Sequence, residues 1–252
     1  MIYSQHREGE KMSVELSQKK NRIWELDFLK GIAFLMMVWD HAVYDMYGLF
    51  GMDVSSLGFF KEGIGKICAV IFMVVCGISV TLGKHNIKHG LITFSLGMAL
   101  TAGTVIADMI SDFGVSIMFG ILHFLGLAMI IGHFAKKLPS WLIAILGVAS
   151  YIIGRYFLSM TVSLPFLFPL GLTSYGFFSA DYYPLFPNIA YVFFGIVIGK
   201  LIYKEKRSIF NSEISIFRPL NFLGRHTLVL YFAHQPVVVA VVFLILKLTG
   251  NY

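Results

Sequence analysis

Histidine and carboxylate side chains sit inside apolar runs of this sequence, where they have little water around them. Asp40, His41 and Asp45 fall in one run, His123 and His133 in another, and His226, His234 and Gln235 in a third, beside Pro236. Ionisable groups at such positions are costly and usually face a bundle interior or a wet cavity. His41 and Asp45 are four residues apart, so a helix stacks them on one face. A carboxylate that accepts from one imidazole nitrogen raises the basicity of the other, as a general base requires. The pair is equally compatible with Asp45 lying in the outer headgroup region. Asp40 points roughly 100° away from His41 on a helix, placed to bind a substrate hydroxyl or to pair with a neighbouring helix. His123 has no partner within its own run, so an interhelical hydrogen bond and a functional role stand as alternatives. Pro236 deprives the Phe232 carbonyl of its helical donor, and a bend or a water is expected there.

The elements that hold these residues are membrane spans. Of the 252 residues, 57% are hydrophobic and only 13% charged, with a mean hydropathy of +0.77. Soluble domains carry roughly 25% charged residues, so lipid must solvate much of this surface. A span needs about 20 mostly apolar residues. Such runs occur at about 29–48, 65–83, 90–107, 114–135, 139–158, 184–203 and 224–248. The expected fold is all-α, a polytopic membrane helical bundle of about seven transmembrane helices. Residues 1–22 read as a polar cytoplasmic tail and 23–252 as one transmembrane domain. The first apolar run is too long for a signal peptide and shows no small-residue cleavage site. The aromatic, proline-containing stretch 158–183 reads as an ordered external loop or a short re-entrant segment. Cys68 and Cys76 would lie roughly 12 Å apart along a helix, too far for a disulfide.

Charge sets the expected orientation. With the N-terminus inside, only Lys61, Lys66, Arg155 and Lys247 of the 20 basic residues fall outside. Such a bias over short loops places the N-terminus in the cytoplasm and the C-terminus outside the cell membrane. His41 then lies roughly 18 Å above the inner boundary, and His123 reaches a similar depth from the opposite chain direction. At the inner boundary Glu25, Asp27 and Lys30 open the first run, and Arg225 and His226 open the last. An ion pair such as Asp27 with Arg225 would hold these ends together. The basic loop 200–225 could bind lipid phosphates or a phosphorylated cofactor. The basic residues form no aromatic-interleaved patch, so no nucleic-acid partner is expected. No Walker A, HExxH or GxGxxG motif occurs, and no metal is called for.

The segment Arg22-Ile-Trp-Glu-Leu-Asp27-Phe-Leu-Lys30-Gly31-Ile-Ala33, with His41 fourteen residues after Asp27, resembles the opening of a transmembrane acyltransferase superfamily. That superfamily includes the acyltransferase-3 proteins and the heparan-alpha-glucosaminide N-acetyltransferase-like proteins. Phe119-Gly-Ile-Leu-His123-Phe-Leu-Gly126, Asp181-Tyr-Tyr-Pro184-Leu-Phe-Pro187 and Leu223-Gly224-Arg225-His226-Thr-Leu-Val-Leu-Tyr231-Phe-Ala-His234-Gln235-Pro236 are similar to the small bacterial branch of the second group. The resemblance implies transfer of an acyl group, expected to be acetyl, from cytoplasmic acyl-CoA to an extracytoplasmic carbohydrate or similar small molecule. On this reading His41, Asp45 and His123 are the catalytic candidates. Lys30 and Arg225 would hold the CoA headgroup, with His234 and Gln235 further up its path. Lys30 stands where the family usually has arginine, which removes a bidentate phosphate contact.

Two other classes compete. A transporter or exporter would use the histidines as a proton relay, and a non-catalytic partner would keep the fold without turnover. The asymmetric charge path, basic at the inner mouth, favours the acyltransferase. A homo-oligomer is compatible with either.

Overall fold

The computed structural model describes residues 22–48, 50–111, 114–210 and 213–249. The expected polar tail therefore lies outside the described residues, apart from Arg22, as does the C-terminal end from residue 250 onward. Among the described residues the fold is helical, with eight α-helices and no named strand. They are α1 (Trp24–Gly48), α2 (Phe59–Leu82), α3 (Asn86–Ser111), α4 (Ile121–Ala135), α5 (Ser140–Phe157), α6 (Leu185–Ile202), α7 (Arg218–Arg225) and α8 (Thr227–Thr249). Five of them, α2, α3, α5, α6 and α8, are long and apolar enough to cross a membrane. α1 is 25 residues long but carries several charges, and α4 is apolar but shorter.

The helices pack through small residues that let backbones approach closely. α2 lies against α6 where a Cβ on Gly77 would overlap the Val192 carbonyl oxygen. α7 lies against α1 in the same way, with Gly224 pressed on the Asp27 backbone. The main core gathers Met73, Phe124, Ile143, Ile189, Val192 and Ile196 from α2, α4, α5 and α6. Outward faces remain apolar, as at Met98 and Ile106 on α3, Ile152 on α5, and Val237 and Leu244 on α8. Such faces suit a bilayer, which needs no polar surface.

Two expected spans differ from the structure. The fourth starts at Ile121, not at 114. Residues 114–120 run extended instead, with a bridge between Phe119 and Tyr182 and a 2.9 Å hydrogen bond from Tyr183 N to the Phe119 carbonyl. Their other polar groups are met by side chains. Asp108 accepts from the amides of Val115 and Ser116, Thr104 Oγ1 accepts from Ile117 N, and Ser179 Oγ accepts from Met118 N. Irregular backbone between apolar helices persists where protein satisfies its polar groups, and here it does. The long connection 158–184 supplies that partner strand and a short 3-10 helix, Pro165–Leu170.

The last expected span, 224–248, is also interrupted. The chain breaks at His226, between α7 and α8. The Thr227 hydroxyl donates to the Leu223 and Gly224 carbonyls at the end of α7, and a His226 ring nitrogen lies 2.9 Å from the Phe222 carbonyl. His226 therefore belongs to the joint, not to the last long helix.

Candidate active site

The chemistry-bearing residues converge on one cavity of about 370 Å³ enclosed by α1, α2, α3, α4, α7 and α8. One end is lined by Lys30, Asn86, His89 and Arg225. The middle is apolar, with Met37, Phe72, Val75, Leu125, Met129 and Leu228. The other end carries Asp40, His41, Cys68, Asp181, Tyr183 and Tyr231. Lys30 and His41 share α1 and are separated by eleven residues, roughly 16 Å of helix. Both cysteines are free, as the sequence predicts, and both line the cavity.

Hydrogen bonds fix the protonation pattern of His41. Asp45 is 1% exposed and, as a carboxylate, only accepts. The Gln235 amide nitrogen donates to both its oxygens, at 2.9 and 3.1 Å. The Gln235 oxygen therefore faces Nδ1 of His41, at 2.8 Å. His234 Nδ1 lies 2.5 Å from the Tyr231 carbonyl, so it carries its proton and leaves Nε2 as an acceptor. That Nε2 also sits 2.8 Å from Nδ1 of His41. One proton on Nδ1 of His41 serves both neighbours, so in the neutral imidazole the lone pair is on Nε2. No protein group among the described residues bonds that nitrogen, and the residue lines the cavity.

This corrects the direct His41–Asp45 bond expected from helical spacing, because Gln235 stands between them. His234 and Gln235, expected along the cofactor path, lie against His41, and neither lines the cavity. His123 is placed elsewhere. It is 1% exposed and outside the cavity lining. Gly120 N donates to its Nδ1 at 3.2 Å, so the proton is on Nε2, 3.2 Å from Thr101 Oγ1, which in turn donates to the Ile117 carbonyl. Phe119 stacks on the ring and Phe94 meets it edge-on. His133 has a buried ring nitrogen with no hydrogen-bond partner among the described residues.

The basic end is held by Asp27. The expected ion pair with Arg225 is present at 3.5 Å, and Lys30 lies 2.8 Å from the other oxygen. Arg22 bonds the same carboxylate at 2.5 Å, and Arg225 also reaches Glu213 at 3.3 Å. Asp27 precedes the apolar part of α1. Burial pushes its pKa up, but Arg22 and Lys30 outweigh this and hold it below the usual carboxylate value. A second hollow of about 460 Å³ adjoins this end and shares Lys30, Ser79 and Gly83 with the cavity. Arg22 and Lys206 add their charges to it.

Asp40, expected to bind a substrate hydroxyl or to pair with a neighbouring helix, lines the cavity, and Asp181 and Tyr183, to which spacing gives no role, join it there. Asp40 packs on the Gly65 backbone, whose missing Cβ makes room for the carboxylate. Asp181 accepts from Ile121 N at 2.9 Å, at the start of α4, and from the Tyr231 hydroxyl. Tyr183 follows two residues later. The Asp181-Tyr-Tyr-Pro184 segment was visible as a motif, but only the pairing of 116–119 with 180–183 brings it to the cavity.

The family model for the heparan-alpha-glucosaminide N-acetyltransferase catalytic domain matches residues 22–236. The chain belongs to this family. No curated protein and no solved structure gives a match. The family match runs from Arg22 in the ion cluster around Asp27 to Pro236, one residue beyond the glutamine behind His41. In a family of membrane acetyltransferases, an imidazole whose Nε2 has no protein partner among the described residues, in an apolar-walled cavity, has a chemical use. It can take a proton from an attacking acceptor.

Proposed function

We propose that this protein transfers an acyl group, most simply acetyl, from cytoplasmic acyl-CoA to an amine or hydroxyl of an extracytoplasmic sugar or similar small molecule. The observation that carries this reading is the continuity of one cavity from Lys30 and Arg225 to the free Nε2 of His41. Lys30 and Arg225, with Arg22 and Lys206 beside them, supply cations for the phosphates of CoA. The apolar middle of the cavity receives the uncharged arm that carries the thioester. His41 acts as general base on the acceptor. Gln235 and His234 hold its ring and tautomer, and Asp45 holds Gln235. A thioester is already activated, so no covalent nucleophile is required. His123 supports the start of α4 and acts on the reaction only through that support. The alternating basic loops support a cytoplasmic N-terminus and multi-pass insertion in the cell membrane.

The test is direct. Detergent-purified protein should bind acetyl-CoA and release CoA faster when glucosamine is supplied as acceptor, with formation of the N-acetyl product. Binding of acetyl-CoA without turnover for amino-sugar or polyol acceptors would point to a non-catalytic role. Absence of acetyl-CoA binding would sink the reading.

A further inference from the structure

Removing the acceptor's proton is half of acyl transfer. The other half is the negative charge that grows on the acyl oxygen, which a preorganised donor in a dry site stabilises strongly. The cavity is lined by two phenols, Tyr183 and Tyr231, both beside Asp181, whose carboxylate is in turn close to His41. Tyr231 donates to Asp181. The Tyr183 hydroxyl has no protein partner among the described residues and is not sealed in protein, so it opens on the cavity. We infer that the Tyr183 hydroxyl donates the hydrogen bond that stabilises the oxyanion formed on the acyl carbonyl. This rests on the acyl-transfer reading above and adds a catalytic residue to it.

The backbone holds this phenol in place. Tyr183 N donates to the Phe119 carbonyl at 2.9 Å, Tyr182 bridges to Phe119, and the Tyr182 hydroxyl bonds the Phe168 carbonyl at 2.6 Å. Pro184 then fixes the entry to α6. The ring is thus carried on paired backbone, and donation at the moment of reaction requires little reorganisation. Burial, then the nearby Asp181, Cys68 and Asp40, push the Tyr183 pKa upward, so the phenol keeps its proton and serves as a donor.

The step balances without another reactant. The acceptor lone pair attacks the thioester carbon while Nε2 of His41 takes the acceptor proton. The carbonyl π pair moves to oxygen, which accepts from the Tyr183 O–H. Collapse re-forms the C=O bond and breaks the C–S bond. The CoA thiolate leaves with the proton from His41, and Tyr183 keeps its own throughout.

Tyr183→Phe tests this, because it keeps the ring and removes only the hydroxyl. The expected result is a kcat lower by on the order of 10²–10³, with acetyl-CoA affinity and acceptor KM unchanged. The carbonyl resonance of bound [1-¹³C]acetyl-CoA should move downfield from the free value in the wild type and return towards it in Tyr183→Phe. Wild-type kcat with an unchanged bound resonance overturns the assignment. So does aggregation or loss of acetyl-CoA binding in the variant, which would make the phenol structural. A wild-type protein that neither binds acetyl-CoA nor transfers acetyl overturns the underlying reading instead, and that outcome is seen before any variant is made.

Discussion

Gln235 joins His41 to Asp45, its amide oxygen 2.8 Å from the imidazole Nδ1 and its amide nitrogen 2.9 Å from the nearer carboxylate oxygen. The amide cannot turn over without facing its oxygen to Asp45, so one carboxylate on α1 selects the His41 tautomer through a side chain on α8. Gln235→Ala removes the link but not the base. We expect kcat to fall on the order of 10²-fold, the scale of a small misplacement, with little change in acetyl-CoA affinity. An unchanged kcat would show that His234 alone suffices to hold the ring.

Loss of the base itself should cost more. His41→Ala is expected to reduce turnover by on the order of 10²–10⁴. Acetyl-CoA binding should persist, because the basic end lies roughly 16 Å along α1. The measurement is acyl transfer alongside binding affinity for His41→Ala and His41→Asn. Full turnover in His41→Ala would end the general-base role. Better activity in the asparagine variant than in the alanine variant would indicate hydrogen bonding in place of proton transfer.

Arg225 is shared between Asp27 and Glu213. Phosphates would compete for it. Arg225→Ala should weaken acetyl-CoA binding, and the remaining affinity should depend less on salt. Unchanged affinity across a salt series removes Arg225 from the cofactor site, and aggregation would make it chiefly a strut between α1 and α7.

Asp27 gives a pH signature. Its folded pKa lies below its unfolded value, so the ion cluster stabilises the protein fully above that unfolded value, about 3.9. The contribution is lost as pH falls through the depressed folded value. Thermal unfolding in detergent should therefore show a Tm that declines below about pH 4. Asp27→Asn should have a lower Tm at neutral pH and a smaller acid-dependent decline. Parallel curves for the two proteins would remove Asp27 from the account.

How the site reads from sequence depends on which contacts are local. Hydropathy finds the long helices because their signal lies within each run. It places α4 seven residues too early because 114–120 are apolar enough to continue a helix but pair with 180–183 instead. That pairing is set by residues some sixty positions away, including Ser179 on Met118 and Asp181 on Ile121. The break at His226 is hidden for a similar reason, since Gly224 is drawn onto α1 rather than into a continuous last helix. His41 and Asp45 are legible by spacing, whereas the role of Gln235 needs two helices brought together. Asp27 with Arg225 is legible because the two opposite charges open the first and last apolar runs, where few other partners stand.

Close packing of α7 on α1 gives a stability test. A Cβ on Gly224 would overlap the Asp27 carbonyl, whereas one on Gly103 in α3 meets nothing within 4 Å. Gly224→Ala should lower stability by about 1–3 kcal/mol or more. Gly103→Ala should raise it by about 0.4–1 kcal/mol through the unfolded chain. Matched Tm shifts of the same sign in the two variants would refute the close approach.

Lys136 caps the end of α4 and Lys200 lies in the last turn of α6, and each also closes another helix end. Lys136 Nζ donates to the carbonyls of Val80 and Gly83 at the end of α2, and Lys200 Nζ donates to those of Lys136 and Leu138 after α4. These two ammonium groups are therefore not freely exchangeable counters. Neutralising either one removes these bonds together with its charge, so a test of orientation by charge neutralisation at these two positions would disturb folding as well. Lys84 and Lys88 bond no such carbonyls among the described residues, so neutralising them changes charge without removing a bond of this kind.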